Sequence, residues 1–185
     1  MKIRFRILAV AGLTLLLAGG CGERPEAPAA DERVYRHSTD GAPSTLDPVR
    51  AATVYSSIVV TNVFDTLYRY KYLSRPYELA PNLATGLPEV SDDGLTYTIR
   101  IRDDARFTDD PAFPDGVGRA LTVHDFIYSL KRHFDPEQRS QGAWLWAGRI
   151  RGLDAWGERG ADYAEPVEGL TAIDDHTLKI ELTEP

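Results

Sequence analysis

The residues that could do acid–base or nucleophilic chemistry do not have the spacing of a catalytic motif. The sequence has four histidines, His37, His124, His133 and His176. None belongs to an HExxH pair, and no two of them lie four residues apart. Ser44 and Asp47 could be imagined as part of a triad, but Thr45-Leu46-Asp47-Pro48 is more typical of a turn. Because there is also no Gly-rich phosphate loop and no GxSxG elbow, we expect no catalytic residues.

A group of acidic residues, Asp109, Asp110 and Asp115 next to Gly116, contains the other plausible metal ligands. Calcium loops of the EF-hand type place their ligands at alternate positions, and that spacing is missing here. We interpret these carboxylates as a solvated loop, and we expect neither a metal ion nor a cofactor.

The tryptophans are more suggestive of binding. Trp144, Trp146 and Trp156 lie within the short stretch GAWLWAGRIRGLDAW. Aromatic side chains line pockets for peptides and sugars, but they also fill hydrophobic cores. The residues alone leave both roles open.

Cys21 is the only cysteine, so it cannot form a disulfide within the chain. It follows a basic start and the apolar run 7–17, which together predict a signal peptide over residues 1–20. The small residues Ala18, Gly19 and Gly20 precede it, an arrangement that resembles a bacterial lipobox with its leucine shifted to Leu17. We predict a lipid anchor at Cys21 and a flexible tether over 21–33. The alternative is an ordinary secretory signal with a chance cysteine.

Composition and charge describe a globular, acidic protein. Hydrophobic residues make up 43% of the chain, and its net charge is −7. Residues 21–185 carry 18 basic and 28 acidic side chains, a balance that repels phosphate backbones and makes nucleic acid an unfavourable partner. No apolar run is long enough to span a bilayer.

Several segments have clear periodicity. We predict a short strand at Val34–His37, and a helix between Ala52 and Tyr68 from its apolar spacing, with strand as the alternative around Ile58-Val59-Val60. Alternating residues predict strands around Tyr97–Ile101 and Leu178–Leu182, the first after a turn at 92–94.

The strongest helix signal runs from Thr122, a capping residue, to Asp135-Pro136, which end the helix. Its apolar stripe comprises Val123, Phe126, Ile127, Leu130 and Phe134. Three basic residues in the last turn, at 131–133, suit the helix dipole.

Five of these segments occur in a familiar order: PSTLDP, VFDTLYRY, LAPNLATGLPEVSDDGLTYTIRIRDDARFTD, LTVHDFIYSLKRHFDP and GLTAIDDHTLKIELTEP. From about Val34 to Pro185, the chain resembles the N-terminal part of family 5 extracellular solute-binding proteins of ABC importers. This family includes oligopeptide-, dipeptide- and nickel-binding proteins. The loop at 109–122 is longer than is usual in the family.

The resemblance implies an α/β fold of the periplasmic-binding-protein type (type II, with the extra family-5 domain), incomplete in this chain. Residues 34–64 would supply the first strand and helix of lobe I, and residues 65–185 the extra domain. It also implies an extracytoplasmic protein, in the periplasm or on the cell surface, that captures peptides or similar small solutes without chemistry and passes them to ABC permease subunits.

The resemblance further implies where the ligand lies. The loop 49–55 would form one wall of the cleft, with Thr53, Val54 and Tyr55 in contact with ligand. Some oligopeptide binders carry an acidic side chain near Ala52 that pairs with a peptide's amino terminus, and alanine cannot form that pair. Trp144 would offer an aromatic ring to the cleft. A secreted hydrolase, or a structural or adhesive lipoprotein without a cleft, are the alternatives.

Overall fold

Helices and antiparallel sheets are mixed in the computed structural model, which describes Arg36 and residues 38–185. The predicted signal peptide, Cys21, the tether and, apart from Arg36, the predicted strand Val34–His37 lie outside the described residues. Elements are numbered here within the described part. The expectation of a mixed helix-and-sheet fold is confirmed.

The first element, helix α1, spans Val54–Val63. Thr53 is its N-cap, with an extended backbone and a side-chain oxygen that accepts a hydrogen bond from the Ser56 N–H at 3.2 Å. Phe64 returns to extended backbone and ends the helix. The helix prediction is therefore confirmed for this segment, and the strand alternative is wrong.

The predicted helix does not continue to Leu67 and Tyr68, and that part of the prediction is wrong. Tyr68 opens strand β1 (Tyr68–Tyr70), which pairs with β2 (Leu79–Pro81) in antiparallel register. The Leu67 carbonyl accepts hydrogen bonds from main-chain N–H groups at 82 and 84. Pairing with residues further along the chain thus replaces the helical bonds that periodicity suggested.

A four-stranded antiparallel sheet forms the centre, in the order β3-β4-β6-β5. Its strands are β3 (Glu89–Val90), β4 (Thr96–Arg100), β5 (Leu170–Asp174) and β6 (Thr177–Glu181). The inner pair joins distant parts of the chain, with Ile99 opposite Leu178. Both strands predicted from alternation are confirmed.

The predicted turn before β4 is present. Gly94 donates its N–H to the Ser91 carbonyl at 2.9 Å and has a φ of 73°, a left-handed conformation that suits glycine. The Asp93 carboxylate accepts a hydrogen bond from the Leu95 N–H at 3.0 Å. These local hydrogen bonds shape the turn that leads into β4.

Helix α2 (Val123–Phe134) lies over the sheet, and the short helix α3 (Leu153–Glu158) packs beside it. The predicted capping box is present, since the Asp125 carboxylate accepts a hydrogen bond from the Thr122 N–H at 2.9 Å. A Cβ on Gly157 of α3 would lie only 2.4 Å from the Phe134 carbonyl oxygen, so glycine permits this close approach of α3 to the end of α2.

Two hydrophobic clusters hold these elements together, and Ile127 and Ile180 pack against both. The buried residues of the first are Ile150, Leu153, Trp156, Ala161, Val167 and Leu170. Those of the second are Ala84, Ile99, Ile101, Val123 and Leu178. The apolar stripe of α2 thus joins α3 to the sheet.

None of the helices in the described part has both the length and the apolar character that crossing a membrane requires.

Candidate functional site

The four predicted contact residues lie on two short segments. Thr53, Val54 and Tyr55 begin α1, and Trp144 belongs to a 3₁₀ turn at Ala143–Leu145. Val54 and Trp144 are 71% and 72% exposed. Tyr55 is half-buried, with its ring against Gly41.

The loop before α1 is held by hydrogen bonds to Ser56, a fully buried residue in the first turn of that helix. Its hydroxyl oxygen accepts hydrogen bonds from the N–H groups of Ser44 at 3.1 Å and Thr45 at 3.3 Å. Within the loop, Asp47 donates its N–H to the Thr45 hydroxyl at 3.1 Å. These contacts support the interpretation of residues 44–48 as turn chemistry.

Asp47 connects this loop to α2. Its two carboxylate oxygens accept hydrogen bonds from the Arg132 guanidinium at 3.0 and 2.7 Å. The two side chains are 28% and 23% exposed. The hydrogen bond from Arg132 lowers the pKa of Asp47 below its ordinary value, against the opposing effect of burial, so the pair is ionic at neutral pH.

Two further contacts attach the same loop to the chain beyond α2. Arg50 donates from Nε to the Gln138 carbonyl at 2.9 Å. Gln141 donates its N–H to the carbonyl of Val49, which is itself buried. That last bond, at 3.1 Å, joins the two segments that carry the predicted contact residues.

The turn that carries Trp144 rests on the last turn of α2. His133 Nδ1 lies 2.7 Å from the Ser140 hydroxyl, which accepts a hydrogen bond from the Gly142 N–H at 3.1 Å. A Cβ on Gly142 would lie 3.2 Å from the His133 ring, so the turn and the ring are in close contact. Burial, and then the charge of Arg132, lower the pKa of His133.

The sequence led us to propose the two segments but did not predict the contacts that join them. Arg132 and His133 were expected only to complement the helix dipole, and each instead holds one of the two segments. The signal available for Arg132 was weak, since its partner Asp47 is 85 positions away.

The other tryptophans differ from Trp144. Trp156 is 1% exposed and donates its indole N–H to the Asp162 carbonyl at 2.9 Å, so core filling is its role. Trp146 is 38% exposed. Lys131, also expected to be a helix-end charge, is buried instead and lies 5.0 Å above the Trp156 ring.

Two acidic side chains of the loop at 109–122 accept hydrogen bonds from main-chain N–H groups within the loop. Asp109 accepts a hydrogen bond from the Gly118 N–H at 2.9 Å, and Asp110 accepts one from the Ala112 N–H at 2.8 Å. Across residues 36 and 38–185, no three acidic, histidine or cysteine side chains converge as metal ligands.

The described part of the chain has cavities elsewhere on its surface. One, of about 410 Å³, is bordered by Phe64, Phe107 and Phe126, and another, of about 640 Å³, by Tyr128 and Tyr163. Neither of these two cavities is lined by a predicted contact residue.

Comparison with known proteins identifies the family. The family described as bacterial extracellular solute-binding proteins, family 5 Middle, matches residues 78–185, which is more than half of the chain. The oligopeptide-binding protein AmiA of Streptococcus pneumoniae is 32% identical over 186 residues, covering 97% of this chain and 26% of its own length. The periplasmic murein peptide-binding protein MppA of Escherichia coli is 32% identical over 158 residues, covering 85% of this chain and 26% of its own.

Solved structures agree with these matches. The peptide-binding pheromone receptor PrgZ superimposes with a TM-score of 0.62 at 34% identity, over 78% of this chain and 26% of that one. The structure of Escherichia coli MppA gives a TM-score of 0.62 at 32% identity, with the same coverage. The chain thus spans about a quarter of the length of the relatives it matches. The predicted family and fold class are confirmed, and the chain belongs to the bacterial extracellular solute-binding proteins, family 5.

Proposed function

We propose that this chain is part of the substrate-binding protein of an ABC importer, which captures peptides or similar small solutes and delivers them to a membrane permease. The observation that carries the proposal is the family match over residues 78–185. Relatives that align across this chain are named for oligopeptide and murein peptide binding. Such proteins bind their solutes without altering them, so the proposal assigns no catalytic residue.

The domain assignment is also a proposal: residues 34–64 for the first strand and helix of lobe I, and 65–185 for the extra domain. The exposure of α1 supports it. Ser56 is its only buried residue, while apolar Val54, Ile58 and Val63 are 71%, 39% and 67% exposed. Apolar residues point to several sides of α1, and a helix of that kind is usually covered by other parts of a protein. We expect further parts of a two-lobed protein to cover α1.

The proposed ligand contacts use the geometry of the two segments. The main-chain N–H groups in the first turn of a helix have no carbonyl partner four residues earlier, so those at Val54 and Tyr55 are suited to meet a peptide carbonyl. Main-chain recognition of this kind tolerates different peptide side chains. Thr53 shapes the helix start as its N-cap, and the exposed ring of Trp144 supplies apolar contact.

We further propose that the protein is exported by a signal over residues 1–20 and held at the membrane by lipid on Cys21, with 21–33 as the tether. The support is the sequence pattern alone. Mass spectrometry of membrane-derived protein should find a diacylglycerol-modified N-terminal cysteine. A free Cys21 thiol in that material would contradict the proposed anchor.

The test of ligand binding is calorimetry on protein produced from its complete reading frame, titrated with a panel of short peptides. We expect at least one peptide to bind, and Trp144→Ala to weaken its binding about tenfold through lost aromatic contact. Trp146→Ala, two positions further along the chain, is the matched control and should have less effect.

Two results would refute the proposal. If peptides, sugars and metal chelates all fail to bind, a structural or adhesive lipoprotein becomes the better explanation. If the protein turns over ester or peptide substrates, and one serine or histidine substitution abolishes that turnover, it is a hydrolase.

A further inference from the structure

One ion pair fixes the place of the loop that leads into α1. Asp47 and Arg132 form two parallel hydrogen bonds, at 3.0 and 2.7 Å, between residues 85 positions apart. Both side chains are at least seven-tenths buried, so water and salt screen the pair less than an exposed one. A bidentate guanidinium–carboxylate contact also restricts orientation, because two bonds define a plane.

The other contacts of this loop fix its shape or add weaker attachments to the chain beyond α2. Ser56 binds the N–H groups of Ser44 and Thr45, which are 12 and 11 positions away, so it fixes the shape of the loop. Among the described residues 38–52, which precede Thr53, no helix or strand holds the loop in place. Its location relative to α2 therefore depends on Asp47 and on the weaker bonds of Val49 and Arg50.

Residues in the last turn of α2 contact both candidate ligand segments. Arg132 holds the loop that precedes Thr53, and it also donates to Gln138 Oε1 at 3.0 Å. The next residue, His133, contacts Ser140 beneath the turn that carries Trp144. Two adjacent residues of one helix thus set the relative position of the two segments.

We propose that Asp47 and Arg132 are positioning residues for ligand binding: neither touches the ligand, and together they hold the α1 loop where it can meet ligand at the same time as Trp144. This inference rests on the proposed binding function. Its physical basis is preorganisation, since a loop already in its bound position loses less freedom when ligand arrives. Loosening the pair should weaken binding without removing a ligand contact.

The test uses protein produced from its complete reading frame and the peptide that the unmodified protein binds in calorimetry. Asp47→Asn keeps the size of the side chain and removes its charge, and we expect it to raise Kd about tenfold. Arg132→Gln should do the same, and the double variant should bind no more weakly than the worse single variant, because both remove one interaction. Arg132→Lys keeps the charge without the fork and should restore part of the affinity.

The matched control is the exposed ion pair Lys71–Glu78, whose side chains are 53% and 50% exposed. Lys71→Met should leave Kd unchanged, because exposed pairs contribute little. Hydrogen exchange gives the readout that a general loss of stability would not reproduce. In Asp47→Asn we expect faster exchange at the Gln141 amide, which donates to Val49, with unchanged exchange at the Ile99–Leu178 strand pair.

The outcomes separate the two claims. If the unmodified protein binds no peptide, the binding proposal and this inference both fail. If it binds, and Asp47→Asn and Arg132→Gln bind equally well, only the positioning role is overturned. Equal loss of protection at Gln141 and in the central strands would also overturn it, since the pair would then support the fold as a whole.

Discussion

Replacing Trp156 with phenylalanine tests how the first hydrophobic cluster is held. The indole is 1% exposed, and its N–H donates to the Asp162 carbonyl at 2.9 Å. Tyr163 meets it edge-on at 5.4 Å, and the Lys131 ammonium lies 5.0 Å above its face. Phenylalanine keeps an aromatic ring here but loses the donor and part of the volume.

The expected cost can be built from these contacts. Loss of the donor removes the hydrogen bond to the carbonyl of Asp162, an exposed residue, at about 0.5–1.5 kcal/mol. The smaller ring buries roughly 40 Å² less apolar surface, or about 1 kcal/mol at ~25 cal/mol per Å². Phenylalanine is also a poorer partner than tryptophan for the Lys131 cation. We therefore expect Trp156→Phe to lower the free energy of unfolding by about 1.5–2.5 kcal/mol.

The assay is equilibrium urea unfolding followed by far-UV circular dichroism, which does not depend on tryptophan emission. Trp144→Phe is the matched control, because its side chain is 72% exposed and it should cost no more than about 0.5 kcal/mol. If the two substitutions lower the free energy of unfolding equally, the Trp156 contacts contribute little and the reasoning is wrong.

Two other substitutions probe the end of α2. Gly157→Ala should destabilise the protein by about 1–2 kcal/mol in urea unfolding, because a Cβ lying 2.4 Å from the Phe134 carbonyl outweighs the better helix propensity of alanine. Gly86→Ala, which meets no atom within 4 Å, should change stability far less, and a more stable Gly157→Ala would contradict the packing argument. For His133, burial and then the Arg132 charge lower the pKa, so the unfolded chain takes up a proton first as pH falls below 6.5 and stability declines. His133→Gln should remove this decline, so its stability difference from the unmodified protein should shrink from pH 7 to pH 5, and a constant difference would contradict it.

The sequence predicted those elements whose signals are local. Alternation of apolar and polar residues identified β4 and β6, and the residues at Thr122 and Asp125 identified the start of α2. Each of these signals depends on residues within a few positions of one another. The elements predicted from such patterns are also the observed ones, because the tertiary contacts of these residues agree with their local preference.

Long-range partners account for what the sequence did not predict. Tyr68 has helical spacing, but it pairs as a strand with Pro81. Lys131 was expected to be a surface charge, and it is buried because its ammonium donates to the carbonyls of Tyr163 and Glu165, 32 and 34 positions away. No periodicity encodes contacts of this kind. The candidate site followed the same rule: Thr53 and Trp144 came from family resemblance, and the Arg132 contact that relates them came only from the structure.

The central strand pairing has a consequence for how the protein is made. β4 ends at Arg100 and its partner β6 ends at Glu181, so β4 is complete 81 residues before β6 is (181 − 100). At about 5–20 residues per second, that gap corresponds to roughly 4–16 s of synthesis. During this delay the two-residue strand β3 is the one neighbour in the sheet that β4 can pair with, and the four-stranded sheet is incomplete. A nascent chain whose sheet stays incomplete for seconds is compatible with the export proposed above, because a channel for unfolded polypeptide accepts a chain in that state.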